Sequence, residues 1–209
     1  VLASISPRRR ELLNYLGVDF TVIPSSIEEF VDLNLSPESL VIKLASAKVE
    51  AVQKKLMHND PFLDRENTII IGADTIVVLE ETVLNKPASR EEAVQMLSRL
   101  SGKTHKVYTG VAVLNIDQSL SPVKEESFCE MSKVTFRSLS NTEIEAYVDT
   151  GEPMDKAGSY ALQGIGSTMV ESIHGCYTNV IGLPMPKLVL LLRSMGVQIL
   201  GKQPGAKIC

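Results

Sequence analysis

A run of apolar, largely β-branched residues interrupted by one carboxylate is the feature that most restricts what this chain can become. Thr68 to Leu79 reads TIIIGADTIVVL. Ile69, Ile70 and Ile71 before the acid, and Ile76, Val77 and Val78 after it, predict a central strand covered on both faces. Asp74 stands in its middle, just after Gly72 and Ala73 loosen the chain. Taking an ionised carboxylate out of water without compensation costs more than the packing of one strand returns. A carboxyl group in such a place must meet a cation, meet hydrogen-bond donors, or carry a proton. The rest of the chain has to supply that compensation.

The 209 residues suffice for a single domain with a substantial core, expected here over residues 1–200, with 201–209 as a flexible tail. A net charge of -4 argues against a protein that holds nucleic-acid polymers on a basic surface, so local basic clusters matter more than the total. No apolar run approaches the roughly 18 residues of a membrane span, and no membrane partner is expected. Cys129, Cys176 and Cys209 match no CxxC or zinc spacing, which predicts reduced thiols and a cytoplasmic protein. The chain begins at Val1 rather than Met, so the expectation is that a short N-terminal piece is missing and that targeting there is not legible.

Taken in order, Val1 to Ala3 predicts the end of a strand, and Ser6-Pro7 caps a helix over Arg8 to Leu16. The first turn of that helix carries Arg8, Arg9 and Arg10, although a helix N-terminus favours negative charge. Free N–H groups, serine hydroxyls and arginines together suit a phosphate. Asp19 to Pro24 predicts a short strand, followed by a loop carrying Glu28 and Glu29. Ser36-Pro37 opens a helix to about Leu56, with Lys48 beside its apolar stripe of Leu40, Leu44, Ala47 and Ala51; by itself Lys48 reads as a snorkelling side chain.

Beyond the central strand, Val83 to Pro87 predicts a short returning strand that ends in Lys86. Ser89 and Ser140 each begin a capping box that heads a helix, the first to Leu100 and the second to Gly151. Lys103 to Leu114 and Met131 to Arg137 predict further strands, separated by a polar connection containing Pro122. Thr150 to Gly166, TGEPMDKAGSYALQGIG, is too rich in glycine for a regular element, and its Gly164-Ile165-Gly166 alone is a weak phosphate-loop signal. Ser167 to Ile173 and Tyr177 to Ile181 predict a hairpin, and Pro184 a last helix to about Met195. His58, His105 and His174 read as surface or turn residues.

The chemistry follows from what is absent and what is left. The chain has no GxSxG and no histidine pair at metal-ligand spacing. What remains is the strand-borne Asp74, the acidic pair Glu28 and Glu29, and basic residues at Arg8, Arg9, Lys48, Lys86 and Lys156, most of them near element ends where they can converge. A hard cation among carboxylates, ringed by cationic side chains, is how proteins hold a polyphosphate. The residues alone therefore predict a metal-dependent enzyme acting on phosphate bonds.

Four segments also carry a family resemblance. Leu2 to Arg9 (LASISPRR), Gly72 to Thr75 (GADT), Lys86-Pro87 and Gly151 to Gly164 (GEPMDKAGSYALQG) resemble the markers of the septum formation (Maf) family of nucleoside triphosphate pyrophosphatases, in matching order and spacing from Val1 to about Met195. The resemblance implies an elongated, two-lobed α/β fold with a central mixed β-sheet flanked by helices and a cleft between the lobes, often dimeric. It implies hydrolysis of a nucleoside triphosphate between its α and β phosphates, with a divalent metal cation, Mg²⁺ or Mn²⁺. Carried over, Asp74, Glu29 and Lys86 become catalytic, Asp74 and Glu29 also metal ligands, and Ser4, Arg8, Lys48, Thr75, Lys156 and Gln163 substrate-binding.

Arg8, Thr75 and Gln163 match the branch acting on dTTP, UTP and modified pyrimidine triphosphates, and a glutamine amide can pair with the O4 and N3–H edge of a uracil-type base. The block Gly151 to Met154 with Met169 to Ser172 is also similar to the domain as it occurs in N-acetylserotonin O-methyltransferase-like proteins. The alternative is a nucleotide-sensing module in cell-division control without significant catalysis. If Asp74 and Thr75 both serve the cleft, side-chain alternation along a strand demands a bend, for which Gly72 is the expected place.

Overall fold

A computed structural model describes residues 1–27, 35–59, 68–117 and 119–199, with the side chains of 58 and 59 excepted. Six helices and five strands alternate along it: α1 (Pro7–Asn14), α2 (Pro37–Asn59), β1 (Thr68–Leu79), β2 (Thr82–Leu84), α3 (Arg90–Leu100), β3 (Thr104–Ile116), β4 (Pro122–Phe136), α4 (Asn141–Asp149), β5 (Val170–His174), α5 (Tyr177–Ile181) and α6 (Met185–Ser194). The strands form one sheet in the order β2-β1-β3-β4-β5. The sheet expected to be mixed is antiparallel at every strand pairing. Hairpins at Glu80-Glu81 and around Asp117 to Ser121 return the chain directly, where parallel neighbours would need long crossovers. The parallel contacts come from Leu2, which bridges Ile71 on one side and Val22 on the other; that bridge is all that forms of the strand expected at Asp19 to Pro24.

The central strand is β1, and its two faces build separate cores. On the even face, Ile70 packs with Ala45, Val49 and Val52 of α2, while Ile76 and Val78 pack with Leu40, Val41 and Leu44. On the odd face, Ile71 and Ala73 join Leu12, Leu13 and Leu183, while Val77 and Leu79 join Leu97, Leu100 and Tyr147. Asp74 and Thr75 fall between these clusters, one on each face. α2 approaches the sheet closely because two residues there are glycine. A Cβ on Gly72 would lie 2.5 Å from the Ala45 carbonyl oxygen, and one on Gly110 would lie 2.3 Å from that of Val41.

Three further expectations need correction. β4 begins at Pro122 instead of Met131, and runs alongside β3 for almost its whole length. Its first half is largely exposed, so backbone pairing holds it and the apolar alternation that marks a half-buried strand starts only at Ser132. Tyr177 to Ile181 is helix α5, not the second arm of a hairpin. Asn179 of α5 turns inward and its amide donates to the Val107 carbonyl at 3.1 Å and to Ser132 Oγ at 3.0 Å, tying the helix to the sheet.

His105 is the third. It is 1 % exposed, its Nε2 lies 2.8 Å from the Tyr160 hydroxyl, and its ring meets those of Phe136 and Tyr160 edge-on. Burial pushes its pKa down from 6.5 to about 4. His174 is exposed, as expected, while the side chain of His58 lies outside the described residues.

Two outcomes follow for stability. Gly110→Ala drives a methyl group into the backbone of α2 and is expected to lower the unfolding free energy by about 3 kcal/mol, at the upper end for overpacking, as read from the urea midpoint. His105 takes up its proton near pH 6.5 when unfolded but only near pH 4 when folded. Unfolded chains therefore bind more protons between those limits, and stability falls by about 3 kcal/mol as pH drops from 6.5 to about 4. In His105→Gln the pH slope over that window should flatten.

Candidate active site

β1 has an open stretch along its outer edge. The N-terminal segment pairs with it at Ile71 and β2 pairs with it from Val77 onward, so among the described residues Gly72 to Ile76 have no strand partner on that side. A cavity of about 430 Å³ opens at this gap. Because it lies off the strand's edge, it reaches both faces, and Asp74 and Thr75 both line it. No bend is involved, for β1 pairs with β3 from Thr68 to Val78 without a register shift.

On the α2 side lies the compensation that Asp74 requires. Lys48 occupies the buried stripe of α2 with Val41, Leu44, Ala45 and Val52, and its Nζ donates to Asp74 Oδ1 at 2.5 Å and to the Ala73 carbonyl at 3.4 Å. The two side chains are 7% and 8% exposed. Lys48 therefore does not snorkel. The glycine contacts described above bring the helix near enough for a lysine to reach a strand carboxylate.

On the opposite face the three arginines of α1 separate. Ser6 caps the helix, its Oγ accepting from the Arg9 N–H at 3.4 Å. Arg8 is half-buried and lines the cavity, Arg10 is exposed, and Arg9 lies on the helix stripe with Leu12 and Leu13. The Arg9 guanidinium donates to the Gly182 carbonyl at 2.8 Å, to Thr75 Oγ1 at 2.9 Å and to Ser4 Oγ at 3.3 Å. Thr75 Oγ1 in turn lies 2.9 Å from Thr109 Oγ1, which donates to the Asn179 carbonyl at 3.0 Å. A polar chain thus runs from α1 through the cavity floor to α5, between two apolar clusters.

Asp155 to Ala157 and Tyr160 to Gln163 form the remaining wall, a segment of 3₁₀ turns at Glu152–Asp155 and Ala157–Ser159 followed by irregular chain. The Lys156 ammonium donates to the Glu152 carbonyl at 2.8 Å and pairs with the Asp155 carboxylate. Partial burial raises the pKa of Asp155, but Lys156 and Arg8 outweigh it and hold the group below its ordinary value. Gln163 is half-buried on the cavity wall, and Lys86 reaches it from the loop after β2.

Of the site residues expected from sequence, Ser4, Arg8, Lys48, Asp74, Thr75, Lys86, Lys156 and Gln163 line this one cavity. Glu28 and Glu29 lie outside the described residues, although Ser25 to Ile27, which lead to them, are on its wall. Arg9 was counted among the cations but its anchoring role was not foreseen; its spacing to Leu12 and Leu13 is the signal that marks a buried arginine. Asp155 and Tyr160 also line the cavity and were not assigned roles. Among the described residues no group of three or more His, Cys, Asp or Glu could hold a metal ion, and no helix is long and apolar enough to cross a membrane.

The model of the family described as Maf-like protein matches residues 1–195. A protein of Desulforamulus reducens named dTTP/UTP pyrophosphatase is 49% identical over 199 residues, covering 95% of this chain and 97% of that protein. Proteins of the same name from Caldicellulosiruptor saccharolyticus, over 96% of each chain, and from Bacillus anthracis, over 95% of this chain and 96% of that protein, are each 44% identical.

Removing Lys48 leaves a buried carboxylate without its cation. Lys48→Met is expected to cost about 3 kcal/mol of stability, and Asp74→Asn in that background to recover much of the loss. Denaturant titration of the two single variants and the double variant checks this. Additive losses would show that the pair does not couple.

Proposed function

The chain belongs to the Maf-like protein family, and on that premise we propose that it is a dTTP/UTP pyrophosphatase, converting the triphosphate and water to the monophosphate and pyrophosphate. The observation that carries the reading is the cavity itself, where a paired carboxylate, Asp74, shares one space with Arg8, Lys86 and Lys156. The similarity extends over almost the whole of relatives named as enzymes, which favours catalysis over nucleotide sensing.

In this reading Arg8, Lys86 and Lys156 neutralise the triphosphate, with Lys156 leaving Asp155 for the substrate's phosphates. Lys48 was expected to bind phosphate directly and is read instead as the counterion that orients Asp74, since its ammonium lies on Oδ1. Asp74 Oδ2, outside that pair, takes the proton of the attacking water. The new bond forms between the water oxygen and the α-phosphorus. The bond to the bridging oxygen breaks, and its electron pair leaves with pyrophosphate. A base so placed contributes on the order of 10² to 10⁴ in rate. Thr75, fixed by Arg9 and Thr109, and Gln163 face the nucleoside end.

A divalent cation fits the donor chemistry of the site. Mg²⁺ takes one or two carboxylates and completes its shell with substrate phosphates and water. Asp74 would be one such ligand and Glu29 the second. A bound cation there would supply screening of the triphosphate charge and polarisation of the α-phosphoryl group. The proposal also includes residues 1–200 as one domain, because the cavity draws side chains from Ala3 to Ile181, and a two-lobed, cytoplasmic homodimer on the strength of the family alone.

Asp74→Asn should be less stable, because Lys48 loses its counterion, and under conditions where it stays folded should lose about 10² to 10⁴-fold in pyrophosphate release from dTTP. Pyrophosphate release at the parent rate in that variant would remove Asp74 from the mechanism.

A further inference from the structure

The Gly164-Ile165-Gly166 segment, weak as a phosphate-loop signal, does cradle an anion, and the anion is a side chain of the same protein. The N–H groups of Ile165 and Gly166 donate to the carboxylate of Glu152, at 3.1 Å to Oε2 and 3.0 Å to Oε1. The hydroxyl of Tyr147, on α4, adds a third donor to Oε1 at 2.9 Å. Successive backbone N–H groups converging in this way form a nest for negative charge. The glycines make the approach possible. A Cβ on Gly164, where φ is +88°, would fall 2.7 Å from Glu152 Oε2, and one on Gly166 would fall 2.4 Å from the Ala161 carbonyl oxygen and 2.7 Å from the Tyr147 hydroxyl. Partial burial raises the pKa of Glu152, but Gly166, Tyr147, Ile165 and Lys156 more than offset this and hold it below its ordinary value.

Glu152 stands between two functional groups of the cleft. Its own carbonyl receives the Lys156 ammonium, and its carboxylate fixes the backbone immediately after Gln163. Gln163 needs such fixing. An amide pairs with a base edge only within a narrow range of distance and angle. The reach of Gln163 is set by its backbone, so selection depends on holding that backbone in one place.

We propose that Glu152 is a positioning residue for nucleotide selection, its carboxylate locking the Gly164–Gly166 nest so that Gln163 meets the base at one distance and angle. The inference rests on the reading of Gln163 as the residue that meets the base. Its test measures kcat/KM for dTTP, UTP and dCTP in Glu152→Gln, Gln163→Glu and the double variant, with thermal melting of each. Replacing the carboxylate by an amide sets N–H groups against the nest. The preference for dTTP over dCTP should then fall about 10-fold, the equivalent of one charge-assisted hydrogen bond. The double variant should show no larger fall than Gln163→Glu alone.

If Gln163→Glu shifts the ranking while Glu152→Gln lowers all three nucleotides equally or not at all, the positioning role is overturned and the reading of Gln163 stands. If Gln163→Glu leaves the ranking unchanged, the reading of Gln163 fails and takes this inference with it. Should Glu152→Gln not fold, Tyr147→Phe removes one of the three donors and decides the matter, a smaller loss of preference supporting the proposal and an unchanged preference overturning it.

Discussion

The ion pair between Lys48 and Asp74 is the interaction on which the rest of this structure depends. A carboxylate in the middle of a strand buried on both faces needs compensation, and here a cation from the helix packed on the same face supplies it. Gly72 and Gly110 bring α2 down onto β1 and β3 until backbone meets backbone, which puts Lys48 within reach. Substitutions at those glycines should thus disturb chemistry as well as packing. The pair also borders the cavity, which Lys48 and Asp74 both line.

The second face of β1 shows the same economy. Arg9, Thr75, Thr109 and Asn179 form a polar chain where two apolar clusters part, and each member bonds to a different element. Arg9 alone joins α1, β1 and the turn after α5. Thr75 is therefore held by the core, while Arg8, Lys86 and Lys156 line the cavity from the first turn of α1 and from loops.

Much of this was legible in the amino-acid sequence, for identifiable reasons. The β1 run, the helix caps at Ser6, Ser89 and Ser140, and the isolated acid at Asp74 are local patterns, and local patterns set local structure. That the cations converge was suggested by their positions near element ends, but which of them converge came from the family motifs. What escaped depends on tertiary placement. The first half of β4 is polar and pairs only through its backbone; Tyr177 to Ile181 has strand-like composition but is folded into a helix by Asn179 reaching into the sheet; and His105 is buried by Phe136 and Tyr160, which lie far away in sequence. The bend expected at Gly72 proved unnecessary because the position of the cleft, beside an open strand edge, is a property of the whole sheet.

These features meet in the proposed step, in which Asp74, set by Lys48, directs water to the α-phosphorus of a pyrimidine nucleoside triphosphate. The most direct test is turnover of dTTP in water enriched in heavy oxygen, with the products weighed by mass spectrometry. Attack at the α-phosphorus places the heavy atom in the monophosphate and leaves pyrophosphate unlabelled. Heavy oxygen in the pyrophosphate instead would mean attack at the β-phosphorus and would contradict the account.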